Sequence, residues 1–365
     1  MNEKTKARRK PVTADGSQIR ITPGRRVTMT DVARLAGCSQ STVSIVLNDT
    51  EGIAIAKATR QRVRDAARQL GYIMPRPNAA AAEEPGQIVV IFDYLATSPE
   101  AVESIDGVRE AAWPSAHLVA AYQTLNEPAM EARTVQAALG RDVAAIIYAT
   151  IMTRKVSVPN ALYACGKPVV LLNCYTDDRS FPCVLPGESA GGHLATRTLI
   201  GAGHRRIAHI SGEMWMDAAK SRLKGYRQAL AAANIPFDAS LVKTGDWSTS
   251  AGYDRTLELL GQDKPPTAVF CSNDRMAVGA YEAIKEKGLR IPDDISIVGY
   301  DDQEIARHLS PTLTTVILPH REMGHWAFHA VTELGGRQSQ MDRYPLVKLE
   351  CTLVQRNSVG PPADD

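Results

Sequence analysis

Near its start the chain places apolar residues three and four apart. Val32, Leu35 and Ala36 form one short face, and Val43, Val46 and Leu47 repeat the spacing. Between them lie Gly37, which permits a tight turn, and Ser39, a residue type that caps helices. Thr28-Met29-Thr30-Asp31 matches the capping pattern that opens a helix. A third stripe, Val63, Ala66, Ala67 and Leu70, runs through KATRQRVRDAARQLGY, with Arg60, Arg62, Arg64 and Arg68 elsewhere around it. The pattern predicts a helix-turn-helix backed by a third helix. Its second helix leaves Gln40, Ser41, Ser44 and Ile45 on the outer side.

From Gln87 the period changes. Short β-rich runs (QIVVIF, HLVAAY, VAAIIYA, KPVVLL, RRIAHIS, PTAVFCS, ISIVGY) alternate with helical stretches such as SRLKGYRQALAAA and MAVGAYEAIKEKG. That alternation predicts doubly wound parallel sheets, and its length suits two lobes better than one. Polar residues follow the runs: Asp93, Asn173, Asn273-Asp274 and Asp301-Asp302. Ligands of open α/β sheets bind beyond the carboxyl ends of strands, so these residues predict one cleft, although each Asp alone also suits a helix cap.

Charge sharpens the division. The 365 residues sum to +2, but residues 1–76 hold 15 Lys/Arg against 6 Asp/Glu, leaving 27 against 34 downstream. A basic head on a mildly acidic body points to a polyanion partner for the head. Duplex DNA fits, with the second helix in the major groove. Thr28, Ser39, Thr42 and Asn48 are then candidates for phosphate contacts. Six scattered cysteines predict reduced thiols, and no metal spacing or cofactor fingerprint stands out. No apolar run approaches the ~20 residues that cross a bilayer, and the charged N-terminus shows no secretory pattern; the expectation is a cytoplasmic, nucleoid-associated protein.

The segment T-x-x-D-V-A-x-x-A-G-x-S-x-x-T-V-S-x-V-L-N from Thr28, followed by T-R-x-R-V and L-G-Y, resembles the lactose and galactose repressor family. The likeness continues through S-R-L-K-G-Y-R, G-D-W-S-x-S-x-G-Y and I-P-D-D-I-S-I-V-G-Y-D-D to about residue 356. It implies a periplasmic-binding-protein-like effector domain behind the head and a homodimer on a pseudo-palindromic operator. A mono- or disaccharide effector is expected between the lobes. Gln40 and Ser41 occupy the base-reading positions, and Asn173, Arg222, Trp247 and Asp274 match the effector contacts. Trp247 also suits the core, and Arg222 also suits an ion pair.

Three departures stand out. Ile45 replaces the usual arginine after T-V-S, which predicts a different base pair in the half-site. In the connector GYIMPRPNAAAAEEPGQ the position of the minor-groove wedge falls on Glu84, a poor wedge. Gly187-Glu188 stands where the family tends to have Asp-Asn. The expected organisation is a disordered tail (1–26), the head (27–74), an atypical linker (75–87) and the body (88–357). Lobe 1 is expected at about 88–185 and 317–343, lobe 2 at about 186–316 and 344–357, with a disordered tail at 358–365. No nucleophile elbow, phosphate loop or zinc spacing argues for an enzyme.

Overall fold

The computed structural model describes residues 27–47, 55–70, 72, 86–95, 99–140, 142–333, 343–344 and 346–363. The expected N-terminal tail, Asn48, and the connector through Pro85 lie outside the described residues. The chain divides into two units, residues 1–84 and 85–365.

In the first unit α1 (Met29–Ala36), α2 (Gln40–Leu47) and α3 (Lys57–Leu70) enclose one small core. Val32, Val43, Val46, Val63 and Leu70 are buried in it, while Leu35 and Leu47 pack at its edge. The start of α1 is closed reciprocally: Asp31 N donates to Thr28 Oγ1 at 3.4 Å, and Thr28 N donates to Asp31 Oδ2 at 2.9 Å. Gly37 ends the helix in the left-handed region, φ 61°, which a side chain would oppose. Ser39 Oγ then accepts from Thr42 N at 3.1 Å and opens α2. Arg62 on α3 reaches back, its Nε donating to Ala36 O at 3.3 Å.

The second unit holds two six-stranded sheets. The first runs in the order β11 (Leu346–Leu349), β5 (Cys183–Pro186), β4 (Val169–Tyr175), β3 (Val143–Lys155), β1 (Gln87–Phe92), β2 (Val119–Gln123). Its neighbours are all parallel. The second runs β12 (Leu353–Val354), β10 (Thr314–Ile317), β9 (Ser296–Asp301), β8 (Ala268–Cys271), β6 (Ile207–Ser211), β7 (Val242–Thr244). There only the β10–β12 pair is antiparallel. Most of the apolar runs read from the sequence become central strands because helices cover both faces, while HLVAAY becomes the edge strand β2. The first lobe carries α4 (Pro99–Ala112), α5 (Pro128–Ala138), α6 (Asn160–Tyr163) and α11 (His320–Glu333). The second carries α7 (Glu188–Gly201), α8 (Asp217–Ala232), α9 (Thr249–Leu260) and α10 (Asp274–Glu286). Each sheet has an apolar cluster on either side.

The chain passes between lobes after β5, after β10 and after β11. Gly187 N donates to Leu349 O at 2.8 Å and ties the first and third passages together. Two expectations need correction here. Residues 346–349 belong to the first lobe, not the second, because they pair with β5 from Leu346↔Cys183 to Leu349↔Pro186 and cover that sheet's edge. The stretch from residue 358 is not a free tail as far as it is described. Ser358 is fully buried; its hydroxyl donates to Ile297 O at 2.7 Å and accepts from Thr314 N at 2.8 Å. Gly360 O accepts from His204 Nε2 at 3.0 Å. A proline-rich segment stays ordered when its neighbours satisfy its backbone groups.

Candidate functional site

On α2 the expected DNA-facing residues lie along the outside of a short helix. Ser39, Gln40 and Ser41 are exposed; Thr42, Ser44 and Ile45 are half-buried. The hydroxyls of Ser41 and Thr42 each lie 2.8 Å from Ser39 Oγ, so the first turn carries three linked hydroxyl groups. Thr28 is exposed at the start of α1, where its hydroxyl donates to Asp31 Oδ2 at 2.7 Å. Arg34 and Arg68 keep most of their side-chain surface in solvent despite ion pairs with Asp31 and Asp65. Exposed pairs of this kind are worth about 0–1 kcal/mol and leave the arginines able to meet phosphates.

The second site lies between the two lobes. A cavity of about 110 Å³ is walled by Glu100 of α4 with Ile151 and Met152 of β3 on one side. Arg222 of α8, Trp247, Asn273, Arg275, Asp301 and Gln303 line the other, with Leu318 at the second passage between lobes. A hydrogen bond from Gln303 Nε2 to Glu100 Oε1, 2.6 Å, bridges the lobes here. Elsewhere along the cleft Tyr175 Oη donates to Asp217 Oδ2 at 2.8 Å.

Of the four expected effector contacts, Arg222 and Trp247 reach the cavity wall. Trp247 is 9 % exposed and belongs at the same time to the second lobe's core. Its indole Nε1 has no hydrogen-bond partner among the described residues. Its backbone is left-handed, φ 69°, a conformation disfavoured for a bulky residue. Asn273 holds it there, Nδ2 donating to Trp247 O at 3.0 Å. Asp301 (φ 107°) and Asp302 (φ 52°) share such backbone strain, which tends to gather at ligand sites.

The other two contacts are displaced from the wall. Asn173 is buried and its amide is consumed internally. Nδ2 donates to Thr150 O and Ile151 O at 3.1 and 3.0 Å, and Oδ1 accepts from Thr153 Oγ1 at 2.6 Å. Asp274 is 0 % exposed. Its two oxygens accept from Thr315 Oγ1 at 2.7 Å and Gln303 N at 2.8 Å, so it is not positioned to accept from ligand hydroxyls. Instead it fixes the Gln303 backbone, and through it a residue that does face the cavity. Burial pushes the Asp274 carboxyl up to about 7, against the pull of those hydrogen bonds. Burial also holds the Asp301 carboxyl well above the ordinary range, with Arg222 opposing it.

Arg222 departs from expectation in a different way. It forms an ion pair, but a buried one. Nε donates to Glu188 Oε2 at 2.7 Å and Nη2 to Oε1 at 3.0 Å; Nη1 donates to Ser272 O. Burial works against the guanidinium charge, while Glu188, Tyr300 and Asp301 more than restore it, so its pKa is raised. The geometry depends on glycines. A Cβ on Gly192 would collide with the Arg222 backbone, and one on Gly225 with Ser189 O, so α7 and α8 approach closely enough for Glu188 to reach Arg222. The Gly187-Glu188 departure is therefore a feature of the cleft.

Reasoning from the sequence missed Glu100 and Gln303, which lie just inside α4 and just beyond Asp301-Asp302; only lobe packing brings them together. Among the described residues no group of His, Cys, Asp and Glu is arranged for a metal ion, and no helix is long and apolar enough to cross a membrane.

Comparison with known proteins agrees with this arrangement. Residues 28–75 match the family described as bacterial regulatory proteins, lacI family, and residues 196–359 match a periplasmic binding protein-like domain. The chain is 32 % identical over 335 residues to the ribose operon repressor of Haemophilus influenzae, covering 91 % of this chain and 98 % of that protein. It is also 32 % identical, over 336 residues and with the same coverage, to the HTH-type transcriptional repressor PurR of Histophilus somni. Among solved structures it resembles the lac repressor dimer bound to operator and the anti-inducer ONPF (TM-score 0.68, 26 % identity, 92 % of this chain and 100 % of that one). It also resembles a transcriptional regulator CelR–cellobiose complex (TM-score 0.65, 28 % identity, 91 % and 100 %). With the helix-turn-helix, the two parallel-sheet lobes and relatives that match over nearly their whole length, the chain belongs to the lacI family of DNA-binding transcriptional repressors.

Proposed function

We propose that this repressor binds a pseudo-palindromic operator as a homodimer and that a small sugar in the interlobe cleft governs its grip. The observation that carries the reading is the cavity itself: both lobes wall it, an indole forms part of it, and hydroxyl-accepting groups converge on it. Indole faces suit the apolar side of a pyranose or furanose, while Glu100, Asp301 and Gln303 suit its hydroxyls. Its volume of about 110 Å³ lies well below the roughly 300–1,000 Å³ of drug-sized ligand pockets. This cavity alone suits a monosaccharide, while a second space of about 580 Å³, lined by Tyr175 of one lobe and Asp217 and Lys220 of the other, leaves room for a disaccharide. Closure across the Gln303–Glu100 contact is the element that ligand biases.

On the head, Gln40 and Ser41 read base edges from the start of α2, and Ile45 meets a thymine methyl. Thr28, Ser39 and Thr42 hydrogen-bond phosphates, and Ser44 shares the outer face of α2; Asn48, the remaining phosphate candidate, falls outside the described residues. Relatives named for a ribose operon and for a cellobiose complex support the sugar class.

The test is a gel-shift and calorimetry series. The protein is titrated onto its own promoter region at low and moderate ionic strength, with a panel of monosaccharides, disaccharides and free purine bases. Operator binding that shifts with one monosaccharide, and loses that response in Trp247→Ala, is expected. No binding under any condition overturns the regulator reading. A response to a purine base alone overturns the sugar.

A further inference from the structure

The fork of Arg222 is already engaged within the protein, and this limits what the cleft can accept. A free arginine in a pocket grips phosphate or carboxylate through two parallel N–H bonds. Here that edge is taken by Glu188, whose two oxygens receive Nε and Nη2 at 2.7 and 3.0 Å. Nη1 donates to Ser272 O and stands 3.6 Å from Asp301 Oδ1. The Tyr300 ring covers a face of the guanidinium, 3.8 Å from Cζ. The side chains of Arg222 and Glu188 are 3 % and 5 % exposed, so water does little to weaken the pair.

One cationic group therefore meets two carboxylates, Glu188 and Asp301, before any ligand arrives. Glu100 adds a carboxylate on the facing wall, and the other cation in the lining, Arg275, is exposed. An incoming phosphate or carboxylate would meet Glu188 and Glu100 across a poorly hydrated gap, where like charges repel strongly, while the Asp301 carboxyl, raised by burial, counts there as a hydrogen-bonding group. A hydroxyl meets acceptors instead. Glu188 is well placed for this effect: it begins α7 at the first passage between lobes, and its Oε1 also lies 3.3 Å from Thr153 Oγ1 of the other lobe.

We propose that Glu188 is a specificity-determining residue of the cleft: by occupying Arg222 it restricts the effector to hydroxyl-rich ligands that carry no phosphate or carboxylate. This rests on the cleft being the effector site and narrows the ligand class within it.

Glu188→Gln preserves shape but removes the nearer of the two carboxylates beside Arg222, leaving only Asp301 at 3.6 Å. Inorganic phosphate, titrated against chloride at matched ionic strength and read by thermal shift on the full chain, serves as the anion probe. Phosphate also meets the basic head, but the head is the same in both proteins, so their difference reports the cleft. The variant is expected to bind phosphate about tenfold more tightly than the unmodified protein, and adding Arg222→Gln is expected to erase the gain. An equal response in variant and parent overturns the proposal and leaves the cleft reading intact. Operator binding that ignores every neutral sugar overturns the cleft reading instead. Should Glu188→Gln fail to fold by circular dichroism, ribose and ribose 5-phosphate are compared on the unmodified chain. Tighter binding of ribose supports the proposal, and equal or tighter binding of the phosphate overturns it.

Discussion

The head and the cleft solve recognition in opposite ways. On the head most candidate contacts lie within one eight-residue helix, α2, and its leading residues Gln40 and Ser41 face solvent. In the cleft the charged groups come from separate loops and helices and are interlocked below the surface, as in Arg222–Glu188 and Asp274–Thr315. A DNA-reading surface must meet a large, hydrated polyanion, so its donors stay outside and cost the fold little. A small-molecule site gains discrimination by desolvation, so its charges are buried and must satisfy one another first. Mutations should therefore separate: cleft changes act on stability and ligand together, and changes at the exposed α2 residues Gln40 and Ser41 on DNA alone.

The strongest break of that contrast is Arg222→Met. It strands Glu188 in the interior, and losing one partner of a buried pair costs about 3–5 kcal/mol. Urea denaturation of the body should show a loss of that size, and Glu188→Gln in the same chain should recover much of it. An unchanged midpoint would mean that the pair is solvated in solution.

Next is pH. Asp274 keeps its proton to about pH 7 when folded but has an ordinary value of 3.8 when unfolded. The folded state binds more protons between those values, so this group's contribution is greatest on the acid side and fades as pH rises through 7. The window corresponds to at most ~4 kcal/mol. His209, lowered to about 3 by burial, works the other way: its contribution is lost as pH falls below 6.5. The comparison is therefore between the parent and Asp274→Asn. Thermal melts from pH 4 to 8 should show the variant gaining relative stability toward the alkaline end; parallel curves would remove Asp274 as a titrating group.

On the head, Gln40→Ala should cost about 1–3 kcal/mol of operator affinity with no change in melting temperature. If non-specific DNA loses as much, the contact is to phosphate. Ile45→Arg should change the preferred half-site in a binding selection, and an unchanged preference would exclude that position from base reading. Smallest is Thr28→Val, which removes a helix cap and should cost the head about 1 kcal/mol, read by its melting transition.

How much of this was legible in the chain follows the range of the interactions. The head's caps, its apolar helix faces and the left-handed Gly37 depend on residues within a few positions of each other, and the sequence pattern located them. The long central strands were readable because both faces are covered and most of their residues are apolar. Short edge strands such as Leu346–Leu349 were not, because their assignment depends on which distant edge remains open. Trp247 was readable as both core and wall, and it is both. Asn173 and Asp274 carried the right signal, a polar residue after a strand, but their hydrogen-bond capacity is met internally. Glu188 showed itself only as a departure from a familiar pattern.

The amino-acid order alone determined the classes of structure present: a basic three-helix head, alternating strands and helices, and polar residues at strand ends. Those are properties of short-range periodicity and local charge. Only the tertiary structure decided which polar residues reach the cavity and which are used beneath it. Glu188 and Arg222 are 34 positions apart, and Glu100 and Gln303 are 203 apart. No local rule links them; the approach of α7 to α8 and the meeting of two lobes do.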